Sequence, residues 1–563
     1  MQFIKTRPDE RTKLKIISLG GFGNVTTNMY VYELFPQGDI LLIDCGIGFP
    51  SEEMLGVDLL IPDITYLKNK KDKIRGLVLT HGHDDHIGAL PYILPQLGFT
   101  VYAPSPLTTG FAQLKLQDAG LTNKVVTVDP QKSLKLGPFT LEFVRVNHST
   151  PDAQHIFINT PVGNIYHGPD YKFDWTPVDG TKPDLTKIAF LGNRGINLML
   201  TDCLGSENKG ATPSESTLND MFKREFDSWK GRLIITTISS NIGRFTQAIN
   251  ASIDHGRKVV LVGRSLEKKI ELAIKLGYMK FDRKIFASPE QAAKLPDQQL
   301  TLLVSGSQGQ PGSAMDRISN DEHKFVKIKK NDKIVFSSPD YIPGTENAVH
   351  GIIDRLTSLG ATVIYSDIAT NLHVGGHGGQ NDMMLLLGLA KPKYIIPTGG
   401  EARQMKQYSL MAQRLGYSEE TILLPKAGDV IEMYPTGEVS MKEKIDVRNI
   451  MVDGLGVGDV GHVVLRDRQV LAEEGIVIVV AQVDQATGKL IGDADVISRG
   501  FIYAKGNEEI LLEAKREIRV ALSREKGRLN QRAVREAIVD RLDRFLYEKT
   551  GRQPMILPIV VEV

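Results

Sequence analysis

Residues 80–90 read THGHDDHIGAL, and this stretch decides how the rest of the chain is to be read. His81 and His83 are two residues apart, so extended backbone would send both side chains off one face. Asp85 and His86 follow within one further turn. Four ligand-type side chains within six residues cannot be core packing, because His and Asp are poor core residues. Neutral imidazoles and carboxylates together suit zinc or manganese and leave coordination positions open for water. Such a centre points to hydrolysis, in which two metals about 3.5–4 Å apart assist an in-line phosphoryl displacement.

Working outward, IRGLVLT (74–80) is an apolar strand that runs into His81. Upstream, KLKIISLGG, MYVYELF and DILLID read as strands, the last ending at Asp44. Downstream, His86 to Leu97 has helical spacing, with Pro91 and Pro95 as interruptions to be accommodated. FTLEFVRV (139–146) leads to His148, and GNIYHGPD (163–170) ends a hairpin at Asp170. His81, His148 and Asp170 therefore each sit just past a β-run. Strand ends gather distant residues at one sheet edge, where α/β enzymes place their sites.

From about 206 to 368 the texture becomes alternating strand and helix. RLIITTIS, KVVLVG, LTLLVSG, KIVFSS and ATVIYS are short apolar strands, with helical segments such as SLEKKIELAIKLG between them. That pattern predicts a parallel α/β domain. NLHVGGHGGQND (371–382) then leads through a helix to the strand KYIIPTGG, and residues near 436–450 read as a linker. The last stretch carries GHVVLRD and GIVIVVAQV as expected strands, two charged helices at about 507–524 and 530–549, and a terminal strand PMILPIVVEV. No internal repeat or low-complexity tract interrupts this order.

Bulk properties set the bounds. A chain of 563 residues is too long for one core and suggests three to four domains. Its 41% hydrophobic and 24% charged content is ordinary for globular protein. A net charge of +1 advertises no polyanionic partner, although a local basic channel can hide within a neutral total. With two cysteines, Cys45 and Cys203, neither a disulfide framework nor a structural thiolate zinc site is available. The polar N-terminus lacks an apolar signal core, and the longest apolar runs fall far short of the ~20 residues that cross a bilayer. The expectation is a cytoplasmic protein without a membrane partner.

The H-x-H-x-D-H run resembles the second motif of metallo-β-lactamase-fold enzymes, with Asp44, His148 and Asp170 resembling their first, third and fourth. The inserted 206–368 segment and the later NLHVGGHGG resemble the β-CASP subgroup, whose members cut nucleic acids. GSQGQPGSAMDR (306–317), SSPDYIPGTEN (337–347), VDGLGVGDVGHVVLRDR (452–468), SRGFIY (498–503) and the terminal GRQPMILPIVVEV resemble the bacterial ribonuclease J family across essentially the whole chain. The fold this implies is an αββα metallo-β-lactamase sandwich (1–205 and 369–437) interrupted by a parallel α/β β-CASP domain (206–368). A linker (438–452) and a small α+β C-terminal domain (453–563) complete it.

The resemblance also implies roles. His81, His83 and His148 would hold one metal, Asp85 and His86 a second, and Asp170 would bridge them. Asp44 would orient a ligand histidine from behind. Two zinc ions are expected, with manganese or magnesium also compatible. His377 would act as general acid for the leaving 3′ oxygen, beside Asp85 and Asp170 as catalytic groups. His373, Val374, Gly375, Gly376 and His377 would form a pocket for a substrate phosphate, where exposed backbone N–H groups can cradle an anion. The implied activity is 5′-to-3′ exonucleolytic, with endonucleolytic cleavage as a second mode, on RNA preferring a 5′-monophosphate end, in RNA maturation and decay. A homodimer or higher oligomer is expected, or a partnership with a paralogous subunit.

Three positions depart from the family pattern. The strand around 395–401 usually ends in a histidine that binds the second metal, and here IIPTGGEAR places Gly399 there. A second ion would then be held more loosely, with water, Thr398 or Glu401 filling in. Gly375 stands where the family usually has serine, and Asn24 where it tends to have an acid. Gly399 and Gly375 together motivate a second reading, an RNA-binding subunit of weak or no activity that partners an active paralogue. A third, a hydrolase of small thioesters or lactams, is disfavoured by the long insert and the phosphate pocket.

Other signals have blander readings. Gly456, Gly458 and Gly461 spell G-x-G-x-x-G, but HVVLRDR reads as a strand, so no helix N-terminus awaits a pyrophosphate. Asn241, Arg244, Arg264 and Ser265 follow strands and either cap helices or meet RNA phosphates. Ser305, Ser307 and Gln308 face the same choice. His155, His167, His255, His323, His350 and His462 lack ligand-spaced neighbours. The C-terminal arginines, Arg516 to Arg544, read as a solvated face or as an RNA or subunit contact.

Overall fold

The computed structural model describes residues 12–563 except 228, 339–344, 455, 486–488, 502–507 and 525–529. Parts of SSPDYIPGTEN and SRGFIY, and Arg528, lie outside the described residues, as does the His462 side chain. The chain divides into two compact units, one comprising Met1–Phe49 with Leu59–Ile450, the other Pro50–Asp58 with Met451–Val563.

Two sheets form the base of the first unit. One has eight strands, ordered Val439–Lys444, Asp429–Met433, Lys13–Gly20, Met29–Phe35, Asp39–Ile43, Ile74–Val78, Val101–Ala103 and Val125–Thr127. The other has six, ordered Tyr394–Thr398, Leu198–Asp202, Gly163–Gly168, Gln154–Thr160, Phe139–Arg145 and Leu134–Leu136. Alternation along the strands buries one face of each sheet on the other. Ile16, Tyr32, Leu41 and Ile43 meet Leu141, Phe143, Ile156, Leu198 and Ile396 in one core. A second core joins Phe157, Tyr166 and Met199 to Leu191, Leu386, Leu387, Tyr408 and Met411 of three helices. Helix Pro106–Asp118 packs on the Val101–Ala103 and Val125–Thr127 strands. The result is a helix–sheet–sheet–helix sandwich.

Between Leu198–Asp202 and Tyr394–Thr398, which pair in parallel as neighbours, the chain builds a separate five-stranded sheet. Its order is Lys258–Val262, Leu300–Val304, Leu233–Thr236, Lys333–Phe336 and Thr362–Ile364, all parallel. The near-continuous apolar runs of these strands are what burial on both faces demands. The expected linker is partly something else: Val439–Lys444 pairs antiparallel with Asp429–Met433 and forms the edge of the eight-stranded sheet. Its charged residues, mostly exposed, suit an edge strand, which disguised it in the sequence. Both prolines after His86 are accommodated. The chain breaks into Asp84–Ile87 and Leu90–Leu97, placing Pro91 in the first turn and Pro95 in the last.

In the second unit, Ile476–Val483 lies between Asp495–Arg499 and Met555–Glu562, the latter in parallel, with helices Glu508–Arg524 and Gln531–Thr550 sharing their core. The expected strand GHVVLRD is instead the start of helix His462–Glu473. Two valines suggested a strand, but the helix formers of RDRQVLAEE outweigh them. A helix therefore does follow the glycine triplet, contrary to the expected strand. The triplet still lacks the strand–turn–helix–strand setting of a dinucleotide site, because Gly456–Val457 is half of a short antiparallel hairpin with Ile450–Asp453. Arg541 pairs with Glu517 and Arg532 with Glu536, as a solvated face would. No helix among the described residues is long and apolar enough to cross a membrane.

Candidate metal centre

The centre forms where strands of both sheets end. Asp44 follows the Asp39–Ile43 strand with φ +60°, a left-handed turn that places its carboxylate against the next strand end. There one oxygen accepts from the Thr80 amide at 2.8 Å. The other accepts from the Thr80 hydroxyl and from Nδ1 of His86, both at 2.8 Å. The contact fixes the His86 tautomer and leaves Nε2 facing Asp170 Oδ2 at 3.4 Å and Asp85 Oδ2 at 3.5 Å. His83 is the extended residue preceding helix Asp84–Ile87, whose single turn carries Asp85 and His86. His148 donates from Nδ1 to the Gly376 carbonyl at 2.7 Å and presents Nε2 to His83 Nδ1 at 3.0 Å.

Among the described residues, three groups of possible ligands share Asp170. They are His81, His83 and His148; Asp85 and His86; and Asp202 and His377, each set with ligand atoms within 4.8 Å of one another. The donor chemistry fits a cation. His81 Nε2 is buried without a hydrogen-bond partner, 3.7 Å from Asp170 Oδ2, and imidazole nitrogens face one another across the cluster. Burial holds the His81 and His148 imidazoles well below their ordinary range and His83 down at about 3, so all three are neutral ligands. Burial also opposes charge on His86, but Asp170, Asp85 and Asp44 raise it well above the usual range. Burial pushes the Asp85 carboxyl upward, whereas His86 and His377 overcome burial to hold Asp170 well below the usual carboxylate range.

His377 lies on the same cluster from the opposite side. Its Nδ1 contacts Asp202 Oδ2 at 2.7 Å and its Nε2 stands 4.0 Å from Asp170 Oδ2. Against the cost of burial, Asp202 and then Asp170 raise the imidazole to about 9. Gly376 must be glycine, since a Cβ would stand 2.7 Å from His148 Cε1. Gly375 is different. A Cβ there would meet nothing closer than 3.9 Å, so a hydroxyl is missing from open space. A Cβ on Gly399, at φ +64°, would lie 3.7 Å from Asp202 Oδ1 and 3.8 Å from Asp170 Oδ1. The position faces the cluster and contributes no ligand.

Several candidate residues serve other ends. Glu401 pairs with Arg403 and starts helix Ala402–Arg414, outside the three ligand groups. Asn241 caps helix Ile242–Asp254 by accepting from the Arg244 amide, the plainer of its two readings. Arg244 is fully buried, and its guanidinium is saturated by Glu215, Ser337, His373 Nδ1 and the Val374 carbonyl. It therefore holds the His373–His377 loop from behind, and its N–H groups are not free for a phosphate. Ser307 and Gln308 are buried past the Leu300–Val304 strand, Gln308 accepting from Thr345. Asn24 accepts from the Thr26 amide. His167 is buried against the Tyr32 hydroxyl, and His155 bridges Tyr166 and the Pro169 carbonyl, so neither is a ligand.

Sequence reasoning missed three residues. Asp202 ends a β-run as Asp44 and Asp170 do, and that rule alone would have found it. Glu215 and Lys172 gave no signal. They meet only in three dimensions, Lys172 Nζ lying 3.4 Å from Glu215 Oε2.

Comparison with known proteins bears on this geometry. The family description "Ribonuclease J, beta-CASP domain" matches residues 230–356, "Ribonuclease J C-terminal domain" residues 463–563, and "Metallo-beta-lactamase superfamily" residues 22–167. Ribonuclease J2 of Bacillus subtilis is 37% identical over 554 residues, covering 98% of this chain and 99% of that protein. Ribonuclease J 1 of Streptococcus pyogenes is 36% identical over 100% of this chain and 99% of its own length. Ribonuclease J of Thermus thermophilus is 38% identical over 98% and 95%. A protein of unknown function from Enterococcus faecalis superposes with a TM-score of 0.52 over 75% of this chain and all of its own. At 15% identity that likeness concerns the fold alone.

Proposed function

The chain belongs to the ribonuclease J family and is a metal-dependent ribonuclease, and from that premise we propose that it shortens RNA from a 5′-monophosphate end, 5′ to 3′, with endonucleolytic cleavage as a second mode. The observation that carries this reading is the Asp202–His377 pair set against the histidine cluster through Asp170. His81, His83, His148 and Asp170 would hold one cation, and Asp85, His86 and Asp170 a second. When bound, such cations supply Lewis acidity to the scissile phosphate and lower the pKa of water. Zinc suits the imidazole set, with manganese or magnesium as alternatives.

This chain's residues do the rest. Water attacks phosphorus, giving its proton to Asp85, and the bond to O3′ breaks, leaving a 5′-monophosphate on the downstream product. His377 is charged at neutral pH and gives its Nε2 proton to the departing O3′, while Asp202 keeps Nδ1 oriented. The His373–His377 loop, braced by Arg244 and by His148, receives a substrate phosphate on its backbone amides. We read 1–205 with 369–437 as one domain interrupted by 206–368, and 453–563 as a further domain that serves assembly into a homodimer or larger oligomer. A cytoplasmic place of action fits this substrate.

Relatives named as ribonucleases do not favour a non-catalytic subunit, and Gly399 bears on how tightly the second cation is held rather than on the reaction class. The test compares wild type with a variant carrying Asp85→Ala and His86→Ala on 5′-monophosphorylated and 5′-triphosphorylated RNA in metal-defined buffer. Mononucleotide release from the first RNA, lost in the variant while RNA binding persists, is expected. Turnover by the variant would overturn the assignment.

A further inference from the structure

We propose that an open cavity of about 390 Å³ on the inserted domain is a nucleotide-binding site apart from the metal centre, its base lying against Phe325 and its phosphate met by Arg264 and Arg317. None of its lining residues belongs to the metal cluster or to the His373–His377 loop. It opens beside the edge strand Lys258–Val262, at the four-residue helix Pro289–Ala292. Val260, Val262 and Leu302 form an apolar floor. The volume falls at the low end of the roughly 300–1,000 Å³ typical of small-ligand sites. One nucleotide suits it better than a longer segment.

The rim is cationic, and its cations are unequal. Arg232 is taken by Asp332, at 2.7 and 2.5 Å, and Lys329 by Asp297 at 2.6 Å. Arg264, Arg317 and Lys324 have no ion-pair or hydrogen-bond partner for their side chains among the described residues. Against them the lining sets one further acid, Glu267. Two exposed, unpaired guanidiniums beside an apolar floor suit an anion attached to an apolar body.

The aromatic wall is held in place. Phe325 is 55% exposed, and Lys324 Nζ sits 5.0 Å from its ring centroid. His323 Nδ1 accepts from the amides of Phe325 at 3.3 Å and Val326 at 3.1 Å, while Val326 is buried in the core below. The loop thus presents an open ring on anchored backbone, as stacking of a base requires. Gly263, at φ +126°, turns the chain from strand to helix in one residue and makes Arg264 the first residue of helix Arg264–Lys275. A Cβ on Gly263 would stand 2.1 Å from Ser305 Oγ.

The ligand chemistry is an aromatic base with a phosphate, supplied either by one unit of an RNA strand or by a free mononucleotide. Because it rests on RNA being the substrate, the test keeps the two readings apart. The full chain, stripped of metal by chelator so that it cannot cleave, is titrated by calorimetry with adenosine 5′-monophosphate and with a short oligoadenylate. Phe325→Ala and Arg317→Glu are compared with wild type, and unchanged thermal unfolding controls for folding, as both side chains are exposed. Weakening by about tenfold or more for the oligonucleotide alone assigns the site to a strand. The same loss for the mononucleotide assigns it to free nucleotide. Unchanged affinity for both probes overturns the proposal, whereas failure of metal-loaded wild type to cleave RNA would instead sink the functional reading. Photolabelling with 8-azidoadenosine checks the location. The azido base is carried in the monophosphate or within the oligoadenylate, whichever the variants weaken; label on the 320–330 segment supports the site, and label only elsewhere refutes it.

Discussion

Asp202 accepts from His377 Nδ1 at 2.7 Å, joining the end of the Leu198–Asp202 strand to a loop 175 residues further along the chain. Burial disfavours the imidazolium, and the neighbouring carboxylates, Asp202 first, reverse that and raise it to about 9. A raised histidine is protonated below its pKa, so the acid function is present at neutral pH and lost as pH rises through that value. Asp202→Asn removes the charge and should bring the alkaline fall of kcat down by about one to two pH units. An unmoved alkaline limb in a kcat–pH profile would remove His377 from the acid role.

Gly399 offers a gain rather than a loss. A Cβ there has ordinary contact distances to Asp170 and Asp202, and histidine is among the residues that tolerate left-handed φ. Gly399→His should raise bound metal per chain toward two by elemental spectrometry and lower the half-saturating metal concentration about tenfold. Unchanged metal content would show that the second cation is already complete without it.

Asp44 is wholly buried and touches the centre only through Thr80 and His86. Asp44→Asn keeps its shape but not its charge. Metal affinity, measured by competition with a chelator, should fall about 10- to 100-fold. Unaltered affinity would mean that packing and Asn28, whose Nδ2 lies 3.3 Å from His86 Nε2, orient the ring without Asp44.

Glu215 neutralises two buried cations at once, Arg244 through Oε1 and Lys172 through Oε2. Glu215→Ala would leave Arg244 charged in the interior without its carboxylate, and Lys172 with Asp174 at 3.8 Å, at a cost of about 3–5 kcal/mol, and free the loop that Arg244 braces. Thermal unfolding should begin earlier, and KM for 5′-monophosphorylated RNA should rise. Glu215→Gln should recover part of the stability. A melting curve unchanged by the alanine would contradict the network.

The sheets were readable because period and composition declare them. Short apolar strands alternating with helical segments announced the parallel insert, whereas the sandwich was expected from the family resemblance of the histidine motif. His81, His83, Asp85 and His86 were visible as a unit because one short stretch of chain carries them all. Reading failed where competing local preferences were nearly balanced. Val463 and Val464 suggested a strand, yet the following residues form a helix, and the charged Val439–Lys444 stretch hid an edge strand. It failed again at Arg244, a residue type that suggests phosphate contact until its partners are counted.

What the sequence by itself determined is therefore most strands, the parallel insert and the ligand types, which follow from local periodicity and from side chains that have no other reason to cluster, with the sandwich implied by the motif's family resemblance. Tertiary structure alone decided the pairings: Asp44 with His86, Asp202 with His377, Glu215 with Arg244 and Lys172. Each joins residues of different elements, 29 to 175 positions apart along the chain, and the packing of those elements sets such distances where local preference cannot. The bare glycine at 399 belongs to both. Its identity is read from the chain, and its meaning comes from the two carboxylates that it faces.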